Sequence, residues 1–164
     1  MKKEKINILI VDDEEMFLES IAKRLKVRDF DVITVTRGEK ALEVADKYPI
    51  DVAIVDLKMP GMNGEETLAA LKKKHNFMEI VILTGHGSID SAVKCTQEGA
   101  YSYLQKPCDF DQLLDVLVEA YKKCVMKRNK IKEEHIQEII EMAKSNSPLS
   151  ILKKIRELDE EGRG

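Results

Sequence analysis

Four places in this 164-residue chain hold residues that could do chemistry together. Asp12-Asp13 follows the apolar run Ile8-Leu9-Ile10-Val11, and Asp56 follows Val52-Ala53-Ile54-Val55. Thr84-Gly85 follows Ile80-Val81-Ile82-Leu83, and Lys106-Pro107 follows Tyr103-Leu104-Gln105. If those runs are parallel strands of one sheet, their carboxyl ends meet at one rim. The rim then gathers three carboxylates, one hydroxyl and one ammonium. Three carboxylates in one crevice repel, which raises their pKa values unless a cation offsets the charge. One lysine is too little for that. Hard oxygen donors in a partly hydrated site favour Mg²⁺, which uses one or two carboxylates together with waters and phosphate oxygens. The chemistry expected is magnesium-assisted phosphoryl transfer. Asp56 is its carboxylate nucleophile, and Lys106 and Thr84 are the partners of the phosphoryl oxygens.

The elements that must position these residues are legible as alternating periods. Strand-like runs fall at residues 6–11, 31–35, 52–55, 80–83 and 101–104. Segments of helical period lie between and after them, at 16–27, 41–47, 65–74, 89–98 and 110–124. In the first, Phe17, Leu18, Ile21 and Leu25 supply the apolar positions. Each strand-plus-helix unit takes about 25 residues, the spacing of βα repeats and a parallel sheet. Near-continuous apolar runs read as strands buried on both faces. The expected class is α/β, a doubly wound sheet of five βα units with helices on both sides; periodicity leaves the strand order open.

Composition narrows the class further. A 43% hydrophobic share supports a real core, which excludes a disordered or fibrous chain. No apolar run approaches the ~20 residues that cross a bilayer, and the charged start Met1-Lys2-Lys3-Glu4-Lys5 does not lead into a signal peptide. Cys95, Cys108 and Cys124 are widely spaced and odd in number, which suits a reducing compartment rather than a disulfide framework. A cytoplasmic protein with no membrane insertion is expected. The net charge of −3 is too mild to call for a nucleic-acid partner.

Residues 126–164 differ from the rest. They hold no aromatic residue, nine Lys/Arg and eight Asp/Glu. One helical stripe is expected through Ile131, Ile136, Ile139, Ile140 and Ala143, and another through Leu149, Leu152, Ile155 and Leu158. Ser147 is suited to cap the second helix and Pro148 to begin it. Such a segment builds little core of its own, so it must dock, pair with a second chain as a homodimer, or stay partly ordered. The basic run 122–132 reads as a solvated helix face.

With these residues in view, the sequence resembles the receiver domains of bacterial two-component response regulators. The resemblance rests on Asp12-Asp13, on Asp56 within Val55-Asp56-Leu57-Lys58-Met59-Pro60-Gly61-Met62-Asn63-Gly64, on Thr84-Gly85-His86-Gly87, and on Lys106-Pro107. It covers residues 5–125, leaving 126–164 as a helical extension without a recognisable output domain. It implies a flavodoxin-like sheet of order 2-1-3-4-5 plus C-terminal helices. It further implies that a histidine kinase or histidine phosphotransfer protein phosphorylates Asp56. Asp13, Asp56 and the Lys58 backbone carbonyl would hold Mg²⁺ directly, with Asp12 assisting through water. Thr84 and Tyr103 would form the switch pair, and the Lys106–Pro107 bond would be cis. Output would pass by protein–protein contact to an unidentified target. Two rival readings fit the residues less well. An aspartate-nucleophile phosphatase would want an acid where Lys58 stands. A DNA-binding regulator would need a reading head that the near-neutral tail lacks.

Overall fold

The computed structural model describes residues 5–129, 141 and 147–163, the side chains of 158–163 excepted. Strands β1 (Asn7–Val11), β2 (Asp31–Val35), β3 (Val52–Val55), β4 (Glu79–Thr84) and β5 (Ser102–Gln105) alternate with helices. These are α1 (Glu15–Val27), α2 (Gly38–Lys47), α3 (Gly64–Lys74), α4 (Ile89–Gln97) and α5 (Phe110–Asn129), and α6 (Pro148–Arg163) follows. All strands pair in parallel, in the order β2-β1-β3-β4-β5. This is the flavodoxin-like order expected.

Alternation along each strand builds two cores. Ile8, Ile10, Val52, Ile54, Val81, Leu83 and Leu104 face α1, α5 and α6. Leu9, Val11, Ala53, Val55, Ile80 and Ile82 face α2, α3 and α4. A strand that feeds both cores has no polar face, which is why the runs lack a period of two. Because α1 and α3 cover opposite faces, the crevice between β1 and β3 is the topological switch point of the sheet.

Several boundaries differ from the sequence reading. Helix α5 continues unbroken to Asn129, past residue 125. The basic run expected to form a solvated face starts within this helix at Lys122, and of its described cations Lys123 is exposed as expected whereas Lys122, Lys127 and Arg128 are paired. Lys122 is buried and pairs with Glu119 at 3.3 Å. Lys127 donates to Glu79 at 2.6 Å, and Arg128 donates to Asp51 at 3.2 Å. Glu79 and Asp51 are themselves buried at the starts of β4 and β3, so Lys127 and Arg128 answer buried charge rather than solvent.

The second tail helix forms as expected, with Pro148 first and Ser147 accepting from the Ser150 backbone N–H. Leu152 and Ile155 join the first core. Beside Ile6 and Phe30, which precede β1 and β2, Leu149 and Leu152 line a cleft of about 290 Å³. Helix α6 therefore docks at the amino-terminal end of the sheet, opposite the rim. The stripe through Ile131, Ile136, Ile139, Ile140 and Ala143 lies outside the described residues, as does the side chain of Leu158. No described helix is long and apolar enough to cross a membrane.

Candidate functional site

The ladder that ends each strand sets the rim. The Asp12 amide donates to the Val35 carbonyl at 3.1 Å, and the Asp56 amide donates to the Val11 carbonyl at 2.9 Å. The Lys106 amide donates to the Thr84 carbonyl at 2.8 Å. The first residue past each strand is thus held by its neighbour's last carbonyl, and its side chain is delivered into one crevice. Asp12, Asp13 and Asp56 each offer an oxygen within 4.8 Å of the others. Asp12 and Asp56 are buried, whereas Asp13 is exposed.

Lys106 reaches into this cluster. Its Nζ lies 2.6 Å from Asp12 Oδ2, 3.7 Å from Glu14 Oε1 and 3.9 Å from Asp56 Oδ2. Asp12 also accepts from the Glu14 backbone N–H at 2.9 Å. Burial pushes the Asp12 carboxyl above the ordinary aspartate range, and the hydrogen bond from Lys106 draws it partly back. The Lys106–Pro107 bond is cis.

Behind Asp56 the loop to α3 turns through Gly61, whose φ of 75° suits glycine. Gly64 abuts the Asp56 carbonyl so closely that a Cβ would overlap it. Asn63 caps α3 with a reciprocal box to Glu66. Lys58 in this loop is exposed.

Thr84 is fully buried, and its hydroxyl accepts from the His86 amide at 3.1 Å. Tyr103 is half-buried against the second core. Its hydroxyl shares a hydrogen bond with Ser91 at 2.7 Å and accepts from the Ser88 amide at 3.3 Å. The tyrosine thus ties β5 to the first turn of α4. His86 is exposed.

The donor set fits a divalent cation. Three carboxylates face one lysine, and Asp56 Oδ1 is buried with no hydrogen-bond partner. A carboxylate oxygen left so costs free energy that a hard cation recovers.

Two contributors escaped the sequence reading. Glu14 flanks Lys106, and the Phe17 ring lies under its ammonium with the centroid 3.9 Å from Nζ. Phe17 stands four residues after Asp13, one helical turn from the crevice, and that spacing was the available signal.

The model of the response regulator receiver domain matches residues 8–118. The chain is 36% identical over 120 residues to the transcriptional regulatory protein GlrR of Escherichia coli, covering 73% of this chain and 27% of that protein. It is 32% identical over 146 residues to the photosynthetic apparatus regulatory protein RegA of Cereibacter sphaeroides, covering 85% and 79%. So the chain spans about a quarter of GlrR but most of RegA. Among solved structures it resembles a receiver domain from Clostridium thermocellum, with a TM-score of 0.68 and 34% identity over 72% of this chain and 95% of that one. A CheY-like receiver from Methanospirillum hungatei gives a TM-score of 0.73 and 27% identity, over 76% and 99%.

Proposed function

The chain belongs to the response regulator receiver family, and we propose that it signals through phosphorylation of Asp56. The Asp56 carboxylate attacks phosphorus, forming an O–P bond as the donor's N–P bond breaks, and the leaving imidazole takes a proton. A histidine kinase or histidine phosphotransfer protein is the donor. Mg²⁺, when bound, neutralises charge on the phosphoryl oxygens. Asp13, Asp56 and the Lys58 carbonyl would hold it, with Asp12 assisting through water. Lys106 meets one phosphoryl oxygen and Thr84 another, and Tyr103 follows the threonine. Residues 5–125 form the receiver unit and 126–164 its extension. The chemistry is confined to the domain's own phosphorylation and dephosphorylation, in the cytoplasm.

One observation carries this reading: the buried, unpartnered Asp56 oxygen beside two further carboxylates and Lys106. Output runs through a protein partner, with a homodimer as one form. In support, three of the four described cations of the basic run, Lys122, Lys127 and Arg128, pair with acids of this chain, and the fourth, Lys123, is exposed with its ammonium 5.6 Å from the Tyr101 ring.

The test uses acetyl phosphate, Mg²⁺ and intact-mass measurement. One added phosphoryl group is expected on the wild-type chain. Asp56→Asn, or a chelator, should abolish it. Full labelling of Asp56→Asn would overturn the assignment.

A further inference from the structure

We propose that Phe17 is a positioning residue for the reaction, its ring holding the Lys106 ammonium over the phosphoacceptor crevice. The proposal rests on the reading of Lys106 as a partner of the phosphoryl group.

A lysine ammonium is a compact charge on a flexible four-carbon stem, so its position is set by what touches it. Four groups touch this one. Three are carboxylates, Asp12 at 2.6 Å, Glu14 at 3.7 Å and Asp56 at 3.9 Å. The fourth is the face of Phe17, 3.9 Å from Nζ to the ring centroid.

These contacts differ in permanence. Asp12 and Asp56 belong to the carboxylate cluster suited to a divalent cation, so their pull on Lys106 weakens when that charge is shared. The Glu14 side chain is 60% exposed, and its attraction is screened by water. The ring is the one neutral contact, and its attraction does not change with the state of the carboxylates. A cation over an aromatic face gains most where water is excluded. That condition is met here, because the Lys106 side chain is only 14% exposed. Phe17 is in turn anchored by packing on the first core, so the ring is a fixed surface for the ammonium.

The arrangement makes the identity of residue 17 matter beyond its volume. Leucine fills comparable space but has no π face, whereas tyrosine keeps one. Phe17→Leu should therefore slow the labelling of Asp56 by acetyl phosphate about tenfold at saturating donor. Phe17→Tyr should restore the wild-type rate. Both variants should keep the wild-type Mg²⁺ dissociation constant, since neither alters a charge.

A second readout needs neither turnover nor metal. In the NMR spectrum of the full chain without Mg²⁺, the Lys106 ε-methylene protons should be shifted upfield by the ring. That shift should vanish in Phe17→Leu and persist in Phe17→Tyr. Lysine signals at their ordinary position in the wild-type chain would overturn the proposal even if Phe17→Leu failed to fold. So would wild-type labelling by Phe17→Leu, or a tyrosine variant that keeps the shift but not the rate. Those failures leave the Asp56 assignment standing. That assignment falls separately, and takes this proposal with it, if the wild-type chain is not labelled or Asp56→Asn is.

Discussion

Asp13 and Lys106 occupy the same crevice under opposite obligations. Asp13 is exposed and brings negative charge, while Lys106 is enclosed by three carboxylates and brings the one described positive charge in the cluster. Asp13→Ala should thus weaken Mg²⁺ binding, and Thr84→Ala should alter it less, because a neutral hydroxyl contributes no charge to an ion. Lys106→Ala should leave binding intact or tighten it. Titration of each variant with Mg²⁺, followed by calorimetry, checks the order; equal weakening in all three would remove the assigned roles. A second expectation concerns lifetime. Lys58 and His86, two residues after Asp56 and Thr84, are both exposed, and neither is an acid or amide that orients an attacking water. Lys58→Asn should accelerate loss of phosphate, measured as decay of the phosphorylated mass after donor removal. Asp13, Thr84 and Lys106 were legible in the sequence because each stands at or just past the end of a strand. Phe17 was not, since helical periodicity reads it as one more apolar position of α1. Its contact with Lys106 joins residues almost ninety positions apart, and its spacing of four from Asp13 places it near the crevice without naming that partner.

The loop between β3 and α3 is an element held from outside itself. The Met62 amide donates to Glu39 Oε1 at 2.9 Å, and Arg37 lies 3.7 Å from the same carboxylate. The Met62 hydrogen bond fastens the loop carrying Lys58 to the start of α2, where Arg37 flanks the same carboxylate. The Met62 hydrogen bond holds the Glu39 carboxyl below the ordinary glutamate range. A lowered value means the tie is fully present above the usual glutamate range and is lost as pH falls through the lowered one. The Met62 amide shift in NMR should titrate with a midpoint below that of a free glutamate, and the titration should disappear in Glu39→Gln. A midpoint at the ordinary value would mean that the carboxylate does not hold the loop. At this scale the sequence was partly legible. The turn was marked by Pro60, Gly61 and Gly64, but the partner on α2 was not, because an exposed glutamate at a helix start has many uses. Similarly, the Ser88 and Ser91 cap was hidden in an ordinary serine pair, although it is what ties Tyr103 to α4.

At the scale of the whole molecule, the rim and the opposite end of the sheet are built differently. The rim concentrates carboxylates for chemistry, whereas the opposite end buries Asp51 and Glu79 and answers them from the end of α5. Glu79 is wholly buried, with Lys127 at 2.6 Å and Lys72 at 3.8 Å. Asp51 accepts from Arg128 at 3.2 Å and from the Asn7 amide at 2.8 Å. The sequence marked Leu149, Leu152 and Ile155 as an apolar stripe, which packs on the first core, yet within the run at 122–132 it gave Lys122, Lys127 and Arg128 to solvent. A charge run shows its own sign and nothing of the acids that folding brings beneath it. Two truncations separate the contributions. Ending the chain after Asn129 removes Leu152 and Ile155 from the first core, and each such loss costs about 2–5 kcal/mol. Ending it after Cys124 also removes Lys127 and Arg128, together with Val125 of the first core, so the Glu79→Gln comparison isolates the part due to the cations. Breaking a buried pair on one side costs roughly 3–5 kcal/mol, with the lower end apt here because the Lys127 side chain is 36% exposed and Lys72 remains. The shorter chain should therefore melt well below the longer one. Glu79→Gln should recover part of that difference in the shorter chain, while destabilising the full-length protein. Thermal and urea unfolding of the full-length protein, the two truncations and the two Glu79→Gln variants decides the matter. No recovery with Glu79→Gln in the shorter chain would show that these cations do not hold the buried acids.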